Sequence, residues 1–134
     1  MLDAKFIRDN PEIVRKAIVD KRVKLDLDEF LSVDKERRKL LTELEGMKCK
    51  KNDFSTKIGK MMRERQNPKD MIASMKTLSQ KIAEIGVKME EYSNKYTFFT
   101  YSFPNIPHKS VPAGAGPEAN KLVREWGKIP KYSF

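Results

Sequence analysis

Hydrophobic residues recur in alternating steps of four and three through the middle of the chain. The first series covers positions 33 to 65, and seven of its ten positions are apolar. Its members are Val33, Arg37, Leu40, Leu44, Met47, Lys51, Phe54, Ile58, Met61 and Arg65. In the second series all nine positions are apolar or aromatic. Its members are Met71, Met75, Leu78, Ile82, Ile85, Met89, Tyr92, Tyr96 and Phe99. A 3.5-residue repeat of this length is typical of a coiled-coil seam, because the apolar face of a globular helix is wider.

The polar segment RERQNPKD separates the two series. Asn67 followed by Pro68 is a cap-plus-proline signal, which predicts that one helix ends before it and another begins at Pro68. A connection this short joins antiparallel neighbours. We therefore predict a helical hairpin over about residues 27–99, with its turn near residues 66–68. Each helix of about 33 residues would extend roughly 50 Å.

The first 25 residues predict one short helix and one longer helix. Asn10 and Pro11 repeat the cap-plus-proline signal, with Asn10 as the expected N-cap of the longer helix. Asp26 and Glu29 have the spacing of a capping box at the start of the first long helix. The expected fold is all-α: a long antiparallel two-helix coiled-coil hairpin with short N-terminal helices packed at its base.

An extended proline-rich strap is expected after the hairpin. The stretch FPNIPHKSVPAGAG, Phe103 to Gly116, contains three prolines. Proline has no amide N–H and a fixed φ angle, so this stretch is neither a helix nor a central strand. The chain therefore divides into a helical domain over residues 1–100 and an extended segment over residues 101–134.

The positive charge of the chain is concentrated in the outer half of the predicted hairpin. The net charge is +9 over 134 residues. Residues 48–81, which we call the outer arm, contain ten basic and three acidic side chains, and so carry +7. Residues 1–47 have no net charge. Since the outer arm spans the turn, folding brings this charge into one region.

The outer arm is expected to bind an acidic partner. A single lysine there is ordinarily a solvated surface residue, but coiled-coil surfaces usually mix the two signs of charge. A one-sided excess repels itself, and a phosphate backbone would neutralise it. Aromatic residues are few in the outer arm, which disfavours stacking on single-stranded bases and favours the backbone of a structured nucleic acid. The alternative is a coiled-coil protein-interaction module that binds an acidic protein.

The sequence offers no candidate catalytic or metal site. His108 is the single histidine and Cys49 the single cysteine, which excludes a Cys/His zinc cluster. A glycine-rich phosphate loop is lacking as well. We therefore expect no cofactor and no metal in this chain. No secretory signal or transmembrane stretch is recognisable, so we expect a cytoplasmic protein without membrane contact.

The order of several segments resembles the N-terminal domain of seryl-tRNA synthetases, which are class II aminoacyl-tRNA synthetases. These segments are FIRDNPEIVRKAI, DLDEFLSVDKERRKLLTELE, KNDFSTKIGKM, PNIPHKSVPAG and REWG. The resemblance implies that the hairpin grips the long variable arm and elbow of tRNA(Ser). It also implies a separate catalytic domain that attaches serine with ATP and Mg²⁺, in a homodimeric parent protein.

The same resemblance implies a role for the C-terminal segment. The strap would lead back to the catalytic domain, and residues 117–134 would be the first residues of that domain. The class II motifs are not in this sequence, so the chain alone is expected not to aminoacylate tRNA. By itself it would be a monomer or a non-native dimer.

The resemblance places the tRNA contacts on the outer arm. The candidates are Lys48, Lys51, Lys57, Lys60, Arg63, Arg65, Lys69 and Lys76. Lys51 and Arg65 occupy seam positions, so we expect their aliphatic stems to pack while their charges extend outward. Arg37 also occupies a seam position, but its surroundings are neutral and we interpret it as structural.

Overall fold

The computed structural model describes residues 2–128 and 130. Its main elements are four α-helices, α1 (Ala4–Asp9), α2 (Pro11–Asp20), α3 (Leu27–Arg63) and α4 (Lys69–Ser102). The described residues contain no β-strand, and a short 3₁₀ helix at Pro117–Ala119 follows the strap. The all-α prediction is thus confirmed. Within the described part of the chain, no helix is both long and apolar enough to span a lipid bilayer.

Helices α3 and α4 form the predicted hairpin. At its open end Phe30 of α3 lies against Tyr96 and Phe99 of α4. Closer to the turn, Phe54 of α3 and Leu78 of α4 line the same groove, so the two helices run antiparallel. The 37 residues of α3 extend over about 55 Å.

The heptad positions form the seam between these helices. Every position of the first series from 33 to 61, and every position of the second from 71 to 99, is buried or half-buried. Full burial is rarer towards the turn, where Ile58 is the last buried residue of α3. The seam is therefore continuous but narrow, as expected for two helices without a third neighbour.

A hydrophobic cluster at the open end of the hairpin forms the base of the fold. Phe30 is fully buried, and its ring centroid lies 4.9 Å from that of Phe103, the first residue of the strap. Ile7 of α1 and Val14 of α2 are also fully buried in this cluster. The short N-terminal helices thus pack at the base, which confirms their predicted position.

A buried carboxylate ties α1 to α3. The Asp34 side chain is only 2% exposed, and it accepts hydrogen bonds from Arg8 of α1 at 3.2 Å and from Arg38 at 3.0 Å. Arg37 lies beside this group, with its Cζ atom 4.5 Å from the centroid of the Tyr96 ring. This cation–π contact places Arg37 in the packing of the base, in agreement with its structural interpretation.

The helix starts follow the sequence signals closely, although α4 begins one residue later than predicted, with Pro68 as its N-cap. Asp26 accepts hydrogen bonds from the backbone N–H groups of Asp28 and Glu29, and Asn67 accepts one from Lys69. Asn10 occupies the predicted N-cap position of α2, but its side chain makes no capping hydrogen bond there. Its side chain donates instead to the Phe6 carbonyl of α1 at 3.1 Å. The same carbonyl also accepts the backbone N–H of Asn10 at 2.9 Å, so both the main chain and the side chain of Asn10 close the end of α1.

Helices α2 and α3 end in the same type of turn. In each, an arginine adopts the left-handed conformation, with φ of 52° at Arg22 and 57° at Arg65. The N–H of the next residue donates to a carbonyl five residues back, at 3.0 Å after α2 and at 2.8 Å after α3. This is the Schellman motif, in which glycine is the usual left-handed residue.

The strap leaves the base in an irregular, extended conformation. Ile106 packs against the base cluster, and the His108 Nδ1 atom lies 2.8 Å from the Ser110 hydroxyl. Further along, Val123 and Trp126 are almost fully exposed. Of the expected C-terminal segment, residues 129 and 131–134 lie outside the described residues.

Replacing Asp34 by alanine is expected to lower the free energy of unfolding by about 3 kcal/mol, because it leaves Arg8 and Arg38 without their shared buried partner. Urea unfolding monitored by helical circular dichroism would measure this loss.

Asp28→Ala is the matched control for this prediction. Asp28 accepts a hydrogen bond from Arg15 at 2.9 Å, which lowers the pKa of this carboxyl below its ordinary value, but the pair is exposed. We expect a much smaller loss than at Asp34, since solvent screens exposed pairs. Equal losses in the two variants would contradict the anchoring role of Asp34.

Candidate nucleic-acid interface

The hairpin gathers the eight candidate cations at one end of the molecule. Five of them lie on the last four turns or so of α3, one in the turn and two at the start of α4. In that order they are Lys48, Lys51, Lys57, Lys60, Arg63, Arg65, Lys69 and Lys76. The antiparallel pairing of α3 and α4 sets the two groups side by side. The outer arm is therefore one continuous basic region.

Seven of these eight side chains are exposed. Lys51 is half-buried, so part of this side chain packs in the seam as its heptad position predicts. Arg65 is exposed, so the expectation that its stem packs in the seam is wrong. Because α3 ends at Arg63, Arg65 lies in the turn and no longer follows the heptad repeat.

The cations of the outer arm have few internal partners. Among the described residues, its single ion pair joins Lys60 and Glu64, at 3.8 Å. The other five ion pairs lie in the base and the adjoining part of α3. Five of the eleven basic residues in residues 1–47 thus pair with a carboxylate, whereas nine of the ten in the outer arm have no ion pair within the described residues and remain available to an external anion.

Lys50 and Lys81 are two further cations that the sequence reasoning omitted. They line a groove of about 350 Å³ between α3 and α4, together with Phe54 and Leu78. Both lysines are exposed. Their place in the +7 segment was visible in the sequence, but only the register of the two helices shows that they lie across one groove from each other.

A second groove lies on α3 nearer the turn. It has a volume of about 530 Å³ and is lined by Ser55, Thr56, Gly59, Lys60 and Arg63. This groove places two hydroxyl groups beside two cations. Hydroxyl, ammonium and guanidinium groups are the donors that proteins use for the phosphates of nucleic acids, so the outer arm has the chemistry of a backbone-binding surface.

Fold and charge together define an all-helical coiled-coil arm domain with a basic end. Residues 1–107 match the family model described as the seryl-tRNA synthetase N-terminal domain. The chain belongs to this family.

Relatives and a solved structure agree with this assignment. The chain is 40% identical over all its 134 residues to the serine–tRNA ligase of Desulfitobacterium hafniense (strain Y51), and 45% identical to that of Thermoanaerobacter pseudethanolicus. It spans 32% of the length of each relative. The crystal structure of seryl-tRNA synthetase from Pyrococcus horikoshii complexed with ATP superimposes with a TM-score of 0.75 and 32% identity, over 95% of this chain and 29% of that chain.

Added salt is expected to stabilise the hairpin, because it screens the repulsion among the unpaired cations of the outer arm. The screening length falls from about 30 Å at 0.01 M to about 10 Å at 0.1 M ionic strength. We expect the melting temperature to rise by roughly 2–6 °C over this range, which corresponds to about 0.5–1 kcal/mol. Thermal melts in sodium chloride would measure it.

A charge-reversal variant is the control. Changing Lys57, Lys60 and Arg63 to glutamate lowers the net charge of the outer arm from +7 to +1. This variant should melt at nearly the same temperature across the series. An equal rise in both proteins would mean that salt acts elsewhere than on the outer arm.

Proposed function

We propose that this chain is the tRNA-binding arm of a seryl-tRNA synthetase, and that its outer arm contacts the long variable arm and elbow of tRNA(Ser). The observation that carries this proposal is the gathering of exposed cations, almost without internal partners, at the end of a hairpin. Family membership supplies the ligand class. The eight candidate residues remain a prediction for the contacts themselves.

The proposed mode of recognition is contact with the RNA backbone and its shape. Phe54 is the only aromatic residue of the outer arm, and it is half-buried in the seam. A single half-buried aromatic side chain gives little support for base stacking. Lysine and arginine side chains on a stiff helix pair suit phosphates that are held in a fixed arrangement by a structured RNA.

Serine activation is proposed for the remainder of the protein, with ATP and Mg²⁺ bound there. The residues that the structure describes do not fit either group. Within residues 2–128 and 130, no cluster of three or more acidic, histidine or cysteine side chains is placed to hold a metal ion. The sequence also has no glycine-rich loop for phosphates. We assign no step of aminoacylation to these residues, and propose that the strap leads to the catalytic domain of a homodimer.

Binding to tRNA(Ser) should weaken as salt rises. The logarithm of the affinity should fall by roughly 0.7–0.9 per tenfold change in salt for each phosphate neutralised. Fluorescence anisotropy with tRNA(Ser), and with a tRNA that has a short variable arm, would measure the slope and the preference. A preference for tRNA(Ser) would show that the outer arm discriminates without the catalytic domain. Absence of binding at low salt would contradict the proposal.

The charge-reversal variant at Lys57, Lys60 and Arg63 localises this binding. We expect it to lose at least about tenfold in affinity and to show a shallower salt slope, because up to three phosphate contacts are removed. Helical circular dichroism should remain unchanged.

A matched control reverses three exposed lysines outside the outer arm, namely Lys24, Lys35 and Lys88, none of which forms an ion pair within the described part of the chain. The change in net charge is the same. This control should bind nearly as well as the unaltered chain. If both variants lose the same affinity, total charge rather than the outer arm governs binding.

The second candidate is an acidic protein partner. Met62 and Ile72, on either side of the turn, are 59% and 42% exposed, and apolar contacts beside cations suit a protein surface. Recovery of a defined protein on the immobilised chain after nuclease treatment, together with no affinity for tRNA(Ser), would favour this candidate.

A further inference from the structure

Gly59 is one of the five residues that line the groove near the turn, and it lies in the interior of α3. Glycine destabilises a helix relative to alanine, so its presence usually has a packing reason. A Cβ atom added at Gly59 would meet nothing within 4 Å. The protein itself therefore does not require glycine at this position. A ligand that approaches the backbone of α3 closely would require it.

The groups around Gly59 identify the chemistry of such a ligand. Lys60 and Arg63 supply positive charge at the rim of the groove. The Ser55 hydroxyl makes no hydrogen bond to any described residue and is free to donate. The Thr56 hydroxyl donates to the Asn52 carbonyl at 3.1 Å, which leaves its lone pairs as acceptors. Cations and a free hydroxyl donor suit phosphate oxygens, and an acceptor suits a ribose 2′-hydroxyl.

The remaining glycines of the hairpin have no comparable surroundings. Gly46 on α3 and Gly86 on α4 also lie in helix interiors, and added Cβ atoms there would likewise meet nothing within 4 Å. Both lie outside the outer arm, where the net charge is close to zero. They have the same effect on the helix as Gly59. Gly86 has no basic residue one or four positions after it and is the matched control, whereas Gly46 has one, Lys50, and is a second control with a single nearby cation.

We propose that this groove, which Gly59 lines, seats one sugar–phosphate strand of an RNA duplex, with Ser55, Lys60 and Arg63 as donors to the phosphates. The absence of a side chain at Gly59 lets the strand approach α3 closely enough to engage both the rim cations and the hydroxyls. This inference rests on the proposed function, and it specifies where on the outer arm the RNA backbone binds.

Gly59→Gln tests the proposal, because glutamine fills the groove without changing the charge and is a good helix former. With a tRNA(Ser) transcript as the probe at about 0.1 M salt, we expect affinity to fall about three- to tenfold, as for the loss of one or two charge-assisted hydrogen bonds. Gly59→Ala should give a smaller loss in the same direction.

Gly46→Gln and Gly86→Gln are the controls. All three glutamine variants should melt at or above the temperature of the unaltered chain, because each replaces a helical glycine. Only the variant at Gly59 should lose affinity. Unchanged affinity at Gly59, or equal losses at all three positions, would overturn the proposal.

The outcome can be separated from that of the proposed function. If charge reversal at Lys57, Lys60 and Arg63 abolishes binding while Gly59→Gln binds normally, the outer arm binds RNA but the groove is not the site where the RNA strand binds. If the unaltered chain does not bind tRNA(Ser) at low salt, both proposals fail together.

Discussion

Two helices packed against each other can bury only one narrow seam, and every other feature of this domain is arranged around that constraint. A fully buried seam residue contributes about 1.5–3 kcal/mol, and most positions here are only half-buried. The cluster around Phe30 supplies what the seam lacks, since it joins α1, α2, both long helices and the first residue of the strap. Asp34 adds a polar tie in the same place. The base therefore contributes most of the stability of the fold.

Net positive charge is distributed in the opposite sense to burial, because it is concentrated in the outer arm and not at the base. Near the base, five cations are paired with carboxylates, and two of these ion pairs join α3 to a different helix. In the outer arm ten cations share three acidic residues, and repulsion acts on the part of the molecule that has the least burial to oppose it. Such an arrangement costs stability unless an anion neutralises it. Binding of RNA and stability of the outer arm are therefore linked, because a ligand that binds only the folded state stabilises that state.

The heptad pattern predicted the hairpin because one physical rule, burial of a repeated apolar stripe, decides both the helices and their pairing. The outcome of local competition, in which one side chain can serve either of two helix ends or a turn ends a helix, could not be predicted in the same way. Asn10 has one side chain and two adjacent helix ends, and the spacing of the chain does not show which end it satisfies. Arg65 fits the heptad in sequence, but the Schellman turn removes it from the helix before its stem can pack.

The segment of the chain that forms the candidate interface was predictable from the sequence, but the arrangement of its side chains in space was not. A count of charges along the sequence locates the outer arm, whereas the register of α3 and α4 is needed to bring Lys50 opposite Lys81. The groove over Gly59 depends on which side chains flank one turn of α3, and a helical glycine gives no sign in sequence of what lies beside it.

The uneven burial along the seam also has a kinetic consequence. Phe54 and Leu78, near the turn, are separated by 24 residues, whereas Phe30 and Phe103, in contact at the base, are separated by 73. Closing a short loop costs less entropy than closing a long one. Local opening of the seam in the outer arm can therefore occur and reverse while the base stays packed and the short turn keeps α3 and α4 joined. The end of the domain that carries the charge is the end that can adjust its spacing to the molecule it meets.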